Sequence, residues 1–277
     1  MVKQGSRQIG TNRSFEAGTM AHNPCPTVDI YAHQDRVREA LHHVEAKKMT
    51  LVLGMLGRDG MVMAADSRMV QPVHGERVAR TTDMKLVQTG RSVVVGIVGD
   101  AVPGYRVVER VKDKVGRKRA GPERIAELLR KYGITQADDR RAANPSRHDE
   151  RYVGLLVGGY ESPEEPRLYY LRSALDFDIE TFDSWAVEGT CRHAWLLCEM
   201  LHSQERSVEE LIALAEFAIS AQAKDRPGNV SLPARIITIR PDGDCTTIES
   251  SSQESANAAM ECHRRRMSEG FWTAEEA

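Results

Sequence analysis

The sequence predicts an α+β fold in which two β-sheets pack face to face and helices cover their outer faces. Three observations support this prediction. The predicted elements come in blocks, in the order strands, helices, strands, helices, strands. The first strands are apolar at almost every position, which is typical of a sheet that is covered on both sides. Each pair of helices needs a sheet face against which to bury its apolar side, and two sheets with helices outside satisfy that need.

The first block of strands consists of two predicted hairpins, one after the other. Each hairpin has a turn signal between apolar runs, namely Arg58-Asp59-Gly60 in the first and Thr89-Gly90-Arg91 in the second. The segment between the hairpins is predicted as a polar loop. The strands of this block are predicted at residues 50–57, 61–65, 85–88 and 93–98.

The helices and the later strands are predicted from hydrophobic spacing and from capping signals. Ser207 and Glu210 have the spacing of a capping box at the start of the last of these helices. Residues 133–151 are polar and charged and are predicted as a solvated loop. The helices are predicted at 101–115, 123–132, 191–202 and 207–224, and the later strands at 152–159, 167–172, 175–182, 184–188, 235–240 and 245–249.

The two ends of the chain differ in composition from the predicted domain at residues 50–250. Residues 1–49 begin with a stretch rich in Gly, Ser, Asn and Pro and end in a polar helical pattern. They are predicted to be either a propeptide or an extension assigned upstream of the true start by mistake. Residues 251–277 are predicted as a C-terminal helical tail.

Composition gives no reason to expect nucleic acid, a membrane or a cofactor. The formal net charge is −2 over 277 residues, so no positive excess is present to bind phosphates or anionic lipids. No apolar run approaches the roughly 20 residues of a membrane span, and the N-terminus lacks a signal-peptide core. The 5 cysteines are scattered without metal-binding spacing, which indicates a reducing compartment. We therefore expect a cytoplasmic protein with no metal and no cofactor.

Three polar residues stand at the ends of the apolar strands. Thr50 opens the first strand, Asp66 closes the second and Lys85 opens the third. Adjacent antiparallel strands place the start of one beside the end of the next, so the three residues are predicted to converge at one sheet end. A threonine hydroxyl needs a nearby base, which a free amine on the same residue can supply. A desolvated lysine oriented by an aspartate can tune that nucleophile, and Gly99 offers a backbone N–H to an oxyanion.

Taken one at a time, these four residues have ordinary structural interpretations; together they carry a family resemblance. The stretches TLVLGMLGRDGMVMAADSR, KLVQ and GIVGD resemble the start of the mature chain in proteasome β-type subunits, which are N-terminal-nucleophile hydrolases. In that family a terminal threonine, an aspartate, a lysine and an oxyanion glycine form the active group. The resemblance implies these roles for Thr50, Asp66, Lys85 and Gly99, which keep the family's spacings except for a longer loop between Asp66 and Lys85.

The resemblance covers about residues 50–250 and implies a four-layer αββα sandwich of the bacterial proteasome-like type. It implies a homo-oligomeric ring, a peptide or small amide as substrate, and room for an ATPase as a further partner. In the family, the loop after the second strand and the oxyanion turn line the substrate pocket, which implies Met69 and Val98 as lining residues here.

The family also supports the terminal amine with a serine in a GSG turn and with a downstream Asp-x-x-Ser-Gly. Glu188-Gly189-Thr190 occupies the first place, so that Thr190 is the expected substitute for the serine. Asp225-Arg226-Pro227-Gly228 occupies the second place, with Asp225 in the family's acidic position and glycine in place of its serine.

Activity of this kind requires a free amine on Thr50, so everything before that residue must be absent. Met49 precedes Thr50 where the family usually has glycine, which suits the tight turn of a self-cleavage site. Two routes lead to a free Thr50: autolysis after Met49, or translation from Met49 followed by removal of the methionine. The sequence thus predicts a threonine-type endopeptidase. The alternatives are a catalytically silent ring or scaffold subunit that retains residues 1–49, and an amidase for non-peptide substrates on the same fold.

Overall fold

The computed structural model describes residues 50–73, 76–82, 84–116, 120–143 and 152–249. Within these ranges the strands are β1 Leu51–Gly57, β2 Gly60–Asp66, β3 Arg68–Val73, β4 Glu76–Thr81, β5 Leu86–Gln88, β6 Val93–Gly99, β7 Val153–Ser162, β8 Glu165–Arg172, β9 Ile179–Phe182, β10 Trp185–Gly189, β11 Ala234–Ile239 and β12 Cys245–Glu249. The helices are α1 Ala101–Val115, α2 Pro122–Ala143, α3 Arg192–Leu201 and α4 Val208–Asp225, with a short 3-10 turn at Ser173–Leu175. The predicted extension at 1–49 and the predicted tail at 251–277 lie outside the described residues.

Two five-stranded antiparallel sheets form the centre of the described part. The first sheet has the strand order β10-β1-β2-β11-β12, and the second has the order β5-β6-β7-β8-β9. One apolar cluster joins α3 and α4 to the first sheet, a second joins α1 and α2 to the second sheet, and a third lies between the sheets. This arrangement is the four-layer αββα sandwich, and it confirms the predicted fold class.

The uninterrupted apolar character of β1 follows from its burial on both faces. Leu51 and Leu53 pack in the cluster under α3 and α4, whereas Val52 and Leu56 pack in the cluster between the sheets. Each face of the strand therefore meets an apolar layer, as the sequence predicted.

The predicted capping box at the start of α4 is confirmed. The Ser207 hydroxyl accepts from the Glu210 N–H at 3.3 Å, and the Glu210 carboxylate accepts from the Ser207 N–H at 3.0 Å. The Asp59 carboxylate, in the β1–β2 turn, accepts from the Val208 N–H at 2.9 Å. Both the cap and the turn therefore fix the start of α4 against the first sheet.

Three predicted elements were wrong in extent. The polar loop between the first two hairpins contains a hairpin of its own, β3–β4. Residues 133–143, predicted as a loop, continue α2, where Asp138 and Arg141 form an ion pair one turn apart. The strand predicted at 175–182 begins only at Ile179, because Phe177 takes a positive φ of 58° and buries its ring against Gly133 of α2.

None of the helices in the described ranges combines the length and the apolar character that crossing a membrane requires.

A candidate active site at the sheet ends

Thr50, Asp66 and Lys85 meet at one end of the sandwich, but not in the way that the sequence predicted. Thr50 immediately precedes β1 and Asp66 ends β2, so these two are neighbours in the first sheet. Lys85 precedes β5, which belongs to the second sheet, where its carbonyl accepts from the Ile97 N–H of β6 at 2.8 Å. The prediction that three adjacent strands bring the residues together was therefore wrong. The lysine reaches the aspartate across the layer between the two sheets.

The Asp66 carboxylate is the centre of this cluster. One oxygen, Oδ1, accepts from Lys85 Nζ at 2.5 Å, from the Leu51 N–H at 2.8 Å and from the Thr50 hydroxyl at 3.3 Å. The other oxygen, Oδ2, accepts from the Arg68 N–H at 3.0 Å and from the Ser231 N–H at 3.3 Å. Five donors on one carboxylate fix the direction of both oxygens.

The three side chains are almost completely withdrawn from solvent. Thr50 is 3% exposed, Asp66 1% and Lys85 5%. Burial lowers the pKa of Lys85 because the ammonium loses its hydration; the Asp66 carboxylate opposes this effect, and the charge of Arg68 adds to it. The Lys85 ammonium is therefore more acidic than that of a solvated lysine. It lies beside the Thr50 hydroxyl, which contacts the same oxygen of Asp66.

The backbone of Thr50 is fixed from the first sheet. Its carbonyl accepts from the Thr190 N–H at 2.7 Å, at the point where β10 ends. Gly189 has a φ of +105°, and a Cβ at that position would lie 2.0 Å from the Thr50 oxygen. The glycine is therefore needed so that the chain can pass close to Thr50. The structure brings Thr190 to Thr50 through this backbone contact.

Gly99 ends β6 in the second sheet, two residues beyond Ile97. N–H groups alternate in direction along a strand, so the Gly99 N–H points toward the edge at which Ile97 contacts Lys85, and the Asp100 N–H points the other way, to the Tyr152 carbonyl at 2.7 Å. The φ of Gly99 is +83°, in the region that favours glycine. The glycine thus stands at the sheet end that holds Lys85, with its N–H on the lysine side.

Three predicted residues remain, namely Asp225, Val98 and Met69. Asp225 is the last residue of α4, and its carboxylate lies 3.4 Å from His193 Nδ1 and 3.3 Å from Arg226 Nε. Val98 is fully buried in the core between the sheets, so the expectation that it lines an open substrate pocket was wrong. The side chain of Met69 lies outside the described part of the structure.

Sequence reasoning missed two contributors to the site. The Ser231 N–H comes from the segment before β11 and reaches Asp66 across 165 residues of chain. Backbone donors of this kind leave no signal in residue type. The Tyr152 carbonyl, which fixes the turn after Gly99, is likewise independent of the side chain that carries it.

An αββα sandwich with a threonine, an aspartate and a lysine at one end of its sheets defines the proteasome-type class of N-terminal-nucleophile folds. A sequence model of the family described as proteasome subunit matches residues 46–231, which is more than half of the chain. The chain belongs to the proteasome subunit family.

Individual relatives agree with this assignment. Proteasome subunit beta 1 of Thermococcus gammatolerans is 30% identical over 179 residues, which cover 64% of this chain and 82% of the relative. Two solved structures share the fold at 14% identity, each covering 80% of this chain and 96% of the other. They are a Gly-1 mutant of Anbu from Hyphomicrobium sp. strain MC1, with a TM-score of 0.64, and Anbu, an ancestral beta-subunit, from Yersinia bercovieri, with a TM-score of 0.63.

Proposed function

We propose that this chain is a threonine-type hydrolase of the proteasome kind that cleaves peptide bonds with Thr50 as its nucleophile. The observation that carries the proposal is the buried cluster in which the Thr50 hydroxyl and the Lys85 ammonium share one oxygen of Asp66. A structural ion pair does not require a threonine at the end of its strand, whereas nucleophilic catalysis does.

The first step forms a tetrahedral intermediate. The freed amine of Thr50 takes the hydroxyl proton as Oγ1 bonds to the substrate carbonyl carbon, and the carbonyl oxygen becomes an oxyanion. Lys85, with its lowered pKa, stabilises the negative charge that develops on Oγ1, and Asp66 holds the lysine in place. The Gly99 N–H donates to the oxyanion.

The second half of the cycle restores the enzyme. The tetrahedral intermediate collapses as the carbon–nitrogen bond breaks, and the leaving amine takes the proton from the Thr50 ammonium. Water then attacks the ester carbon as the Thr50 amine accepts a proton from that water. The Thr50 ammonium returns this proton to Oγ1 as the Oγ1–carbon bond breaks, and the acid product leaves. Thr190 contributes by fixing the Thr50 carbonyl. We place the reaction in the cytoplasm, with residues 1–49 absent from the active form.

Self-association is part of the proposal, and one helix supports it. The exposed face of α3 carries three large apolar side chains: Trp195, Leu196 and Met200 are 47%, 49% and 54% exposed. Such a patch is typical of an interface. Arg192 and Glu199 lie on the same face two turns apart, so a second copy packed antiparallel about Leu196 would place each arginine beside the partner's glutamate.

This surface is tested by placing a charge in its centre. We expect Leu196→Glu to lower the molecular mass measured by light scattering to that of a smaller assembly or a single chain. Leu175→Glu is the matched control, because Leu175 is 48% exposed but lies in the 3-10 turn. If Leu196→Glu leaves the mass unchanged, α3 is not the interface. The proposal also includes assembly into a ring and an ATPase as a partner, as membership of this family suggests.

A catalytically silent ring or scaffold subunit is the second candidate. Asp225 pairs with His193 and Arg226, and the two serines with which the family supports its terminal amine are absent. This candidate keeps residues 1–49 and has no hydrolytic activity.

The experiment that separates the two candidates measures hydrolysis of fluorogenic peptides and of small amides by the purified protein. We expect Thr50→Ala to reduce turnover of peptides by at least about 10³-fold, because the nucleophile is lost, and Thr50→Ser to retain part of the activity. Thr89→Ala is the control, because Thr89 is equally buried but lies just after the last residue of β5, whereas Lys85 lies just before the first. Cleavage of small amides alone would indicate the amidase, and wild-type activity in Thr50→Ala would refute the proposal.

A further inference from the structure

Two tyrosines join their hydroxyl groups beside the turn that follows β6. The Tyr152 and Tyr170 oxygens are 2.5 Å apart. Tyr170 is fully buried in the layer between the sheets. Gly154, on the neighbouring strand β7, leaves room for the pair, because a Cβ there would lie 2.2 Å from the Tyr170 hydroxyl. The hydroxyl of Tyr170 is therefore held in one place, and it holds the far end of the Tyr152 ring.

The near end of Tyr152 contacts the Gly99–Asp100 turn. Its carbonyl accepts from the Asp100 N–H at 2.7 Å. A Cβ at Gly99 would lie 2.2 Å from that carbonyl oxygen and 2.8 Å from Cδ1 of the Tyr152 ring. Both the backbone and the ring of Tyr152 therefore lie against Gly99, on the side opposite to the edge where Lys85 is held.

The pair remains un-ionised in working conditions. Burial raises the pKa of both Tyr152 and Tyr170, and the neighbouring Glu188 carboxylate raises both further. Glu188 lies on β10, opposite Val52 of β1 and one residue before Gly189. The two tyrosines are therefore also close to the strand that fixes Thr50. The contact between the two phenols is thus a hydrogen bond between neutral hydroxyls over the physiological range.

We propose that Tyr152 and Tyr170 are positioning residues for the Gly99 N–H, with Tyr170 holding the Tyr152 ring and Tyr152 holding the Gly99–Asp100 turn. This inference rests on the proposed function, in which the Gly99 N–H stabilises the oxyanion. A donor to an oxyanion acts only when it is held in place before the reaction, because movement during the reaction costs stabilisation of the transition state. Neither tyrosine touches the reacting atoms, so neither is a catalytic residue.

The kinetic test removes one hydroxyl at a time. We expect Tyr170→Phe and Tyr152→Phe each to lower kcat by about 10-fold while KM changes less than about 2-fold, since an oxyanion donor stabilises the transition state and not the bound substrate. The double variant should lose no more than either single variant, because both remove the same hydrogen bond. Tyr169→Phe is the matched control, because Tyr169 is the next residue on β8 and faces α1 and α2. An unchanged kcat in Tyr170→Phe, or an equal loss in Tyr169→Phe, would overturn the inference.

A second measurement does not depend on activity. Amide hydrogen exchange, followed by NMR in a Thr50→Ala background, should become at least about 10-fold faster at Asp100 in Tyr170→Phe, because its bond to the Tyr152 carbonyl opens more often. The Ile97 N–H lies on β6, shortly before Asp100, and donates to the Lys85 carbonyl. Its exchange should not change. If the wild-type protein hydrolyses nothing, the proposed function fails, and the exchange at Asp100 alone decides whether the pair positions the turn. Unchanged exchange at Asp100 would overturn the positioning role whatever the activity.

Discussion

The hairpin β1–β2 carries an ion pair at each of its ends, and the two pairs have opposite surroundings. At the open end, Asp66 and Lys85 have side chains that are 0% and 6% exposed. At the turn end, Asp59 and Arg240 have side chains that are 41% and 36% exposed, with a contact of 2.7 Å. The turn pair is partly solvated, and it links the end of β11 to the turn and, through Glu209, to α4.

The difference indicates which pair is structural. An exposed arginine–carboxylate pair loses little hydration and gains little energy, so its value lies in geometry. A buried lysine and aspartate lose their hydration, and nearby hydrogen bonds must compensate. Three backbone N–H groups and a threonine hydroxyl contact Asp66 in addition to the lysine. Such an arrangement costs desolvation free energy that a purely structural contact does not require, and it suits a site where a proton must move.

The largest expected difference between the two ends is in the response to losing the cation. We expect Lys85→Met to lower the free energy of unfolding by about 3 kcal/mol, because Asp66 is left buried without its counter-ion but keeps its backbone donors. Hydrolysis should fall by about 10²-fold or more, since the charge that develops on Thr50 is no longer stabilised. Urea unfolding and peptide turnover measure the two effects. A variant that is less stable yet fully active would show that the pair is structural.

The sequence predicted the residues of the open end but not the path by which they meet. Thr50, Asp66 and Lys85 stand at strand ends, and strand ends can be read from apolar runs and turn signals. Which sheet a strand joins depends on contacts between distant residues, and this is why Lys85 was assigned to the wrong sheet. The second half of α2 was missed because its polar residues lie on a largely solvated helix, where a polar composition does not exclude regular structure. The hairpin β3–β4 was missed because its residues do not alternate regularly between polar and apolar. Ser231 contributes only a backbone N–H, which any residue except proline has.

The second difference concerns pH. Burial lowers the folded-state pKa of Lys85, so between that pKa and the ordinary lysine value of 10.5 the unfolded chain binds one more proton than the native chain. Stability contributed by this group therefore rises as pH rises through that window. Buried tyrosines and cysteines act in the opposite direction, so the useful quantity is the wild-type free energy of unfolding minus that of Lys85→Met. We expect this difference to increase as the pH rises toward 10.5. A flat or falling difference would mean that Lys85 is not desolvated.

The smallest expected effect is at the turn end. Replacement of Arg240 by methionine should cost about 0.5 to 1 kcal/mol, because the pairs with Asp59 and Glu209 are partly solvated. Peptide turnover should be unchanged, since this end of the hairpin is distant from Thr50 along both strands. Urea unfolding at low and high salt measures the effect, which should shrink at high salt. A loss as large as that of Lys85→Met would remove the contrast between the two ends.

The most direct test of the central claim is the intact mass of the protein purified from its own host. A nucleophile that uses its own amine as base must be the first residue of the chain. The account predicts a mass that corresponds to a chain beginning at Thr50. A mass that retains Met49, or any part of residues 1–49, would contradict the terminal-threonine mechanism and favour the scaffold subunit.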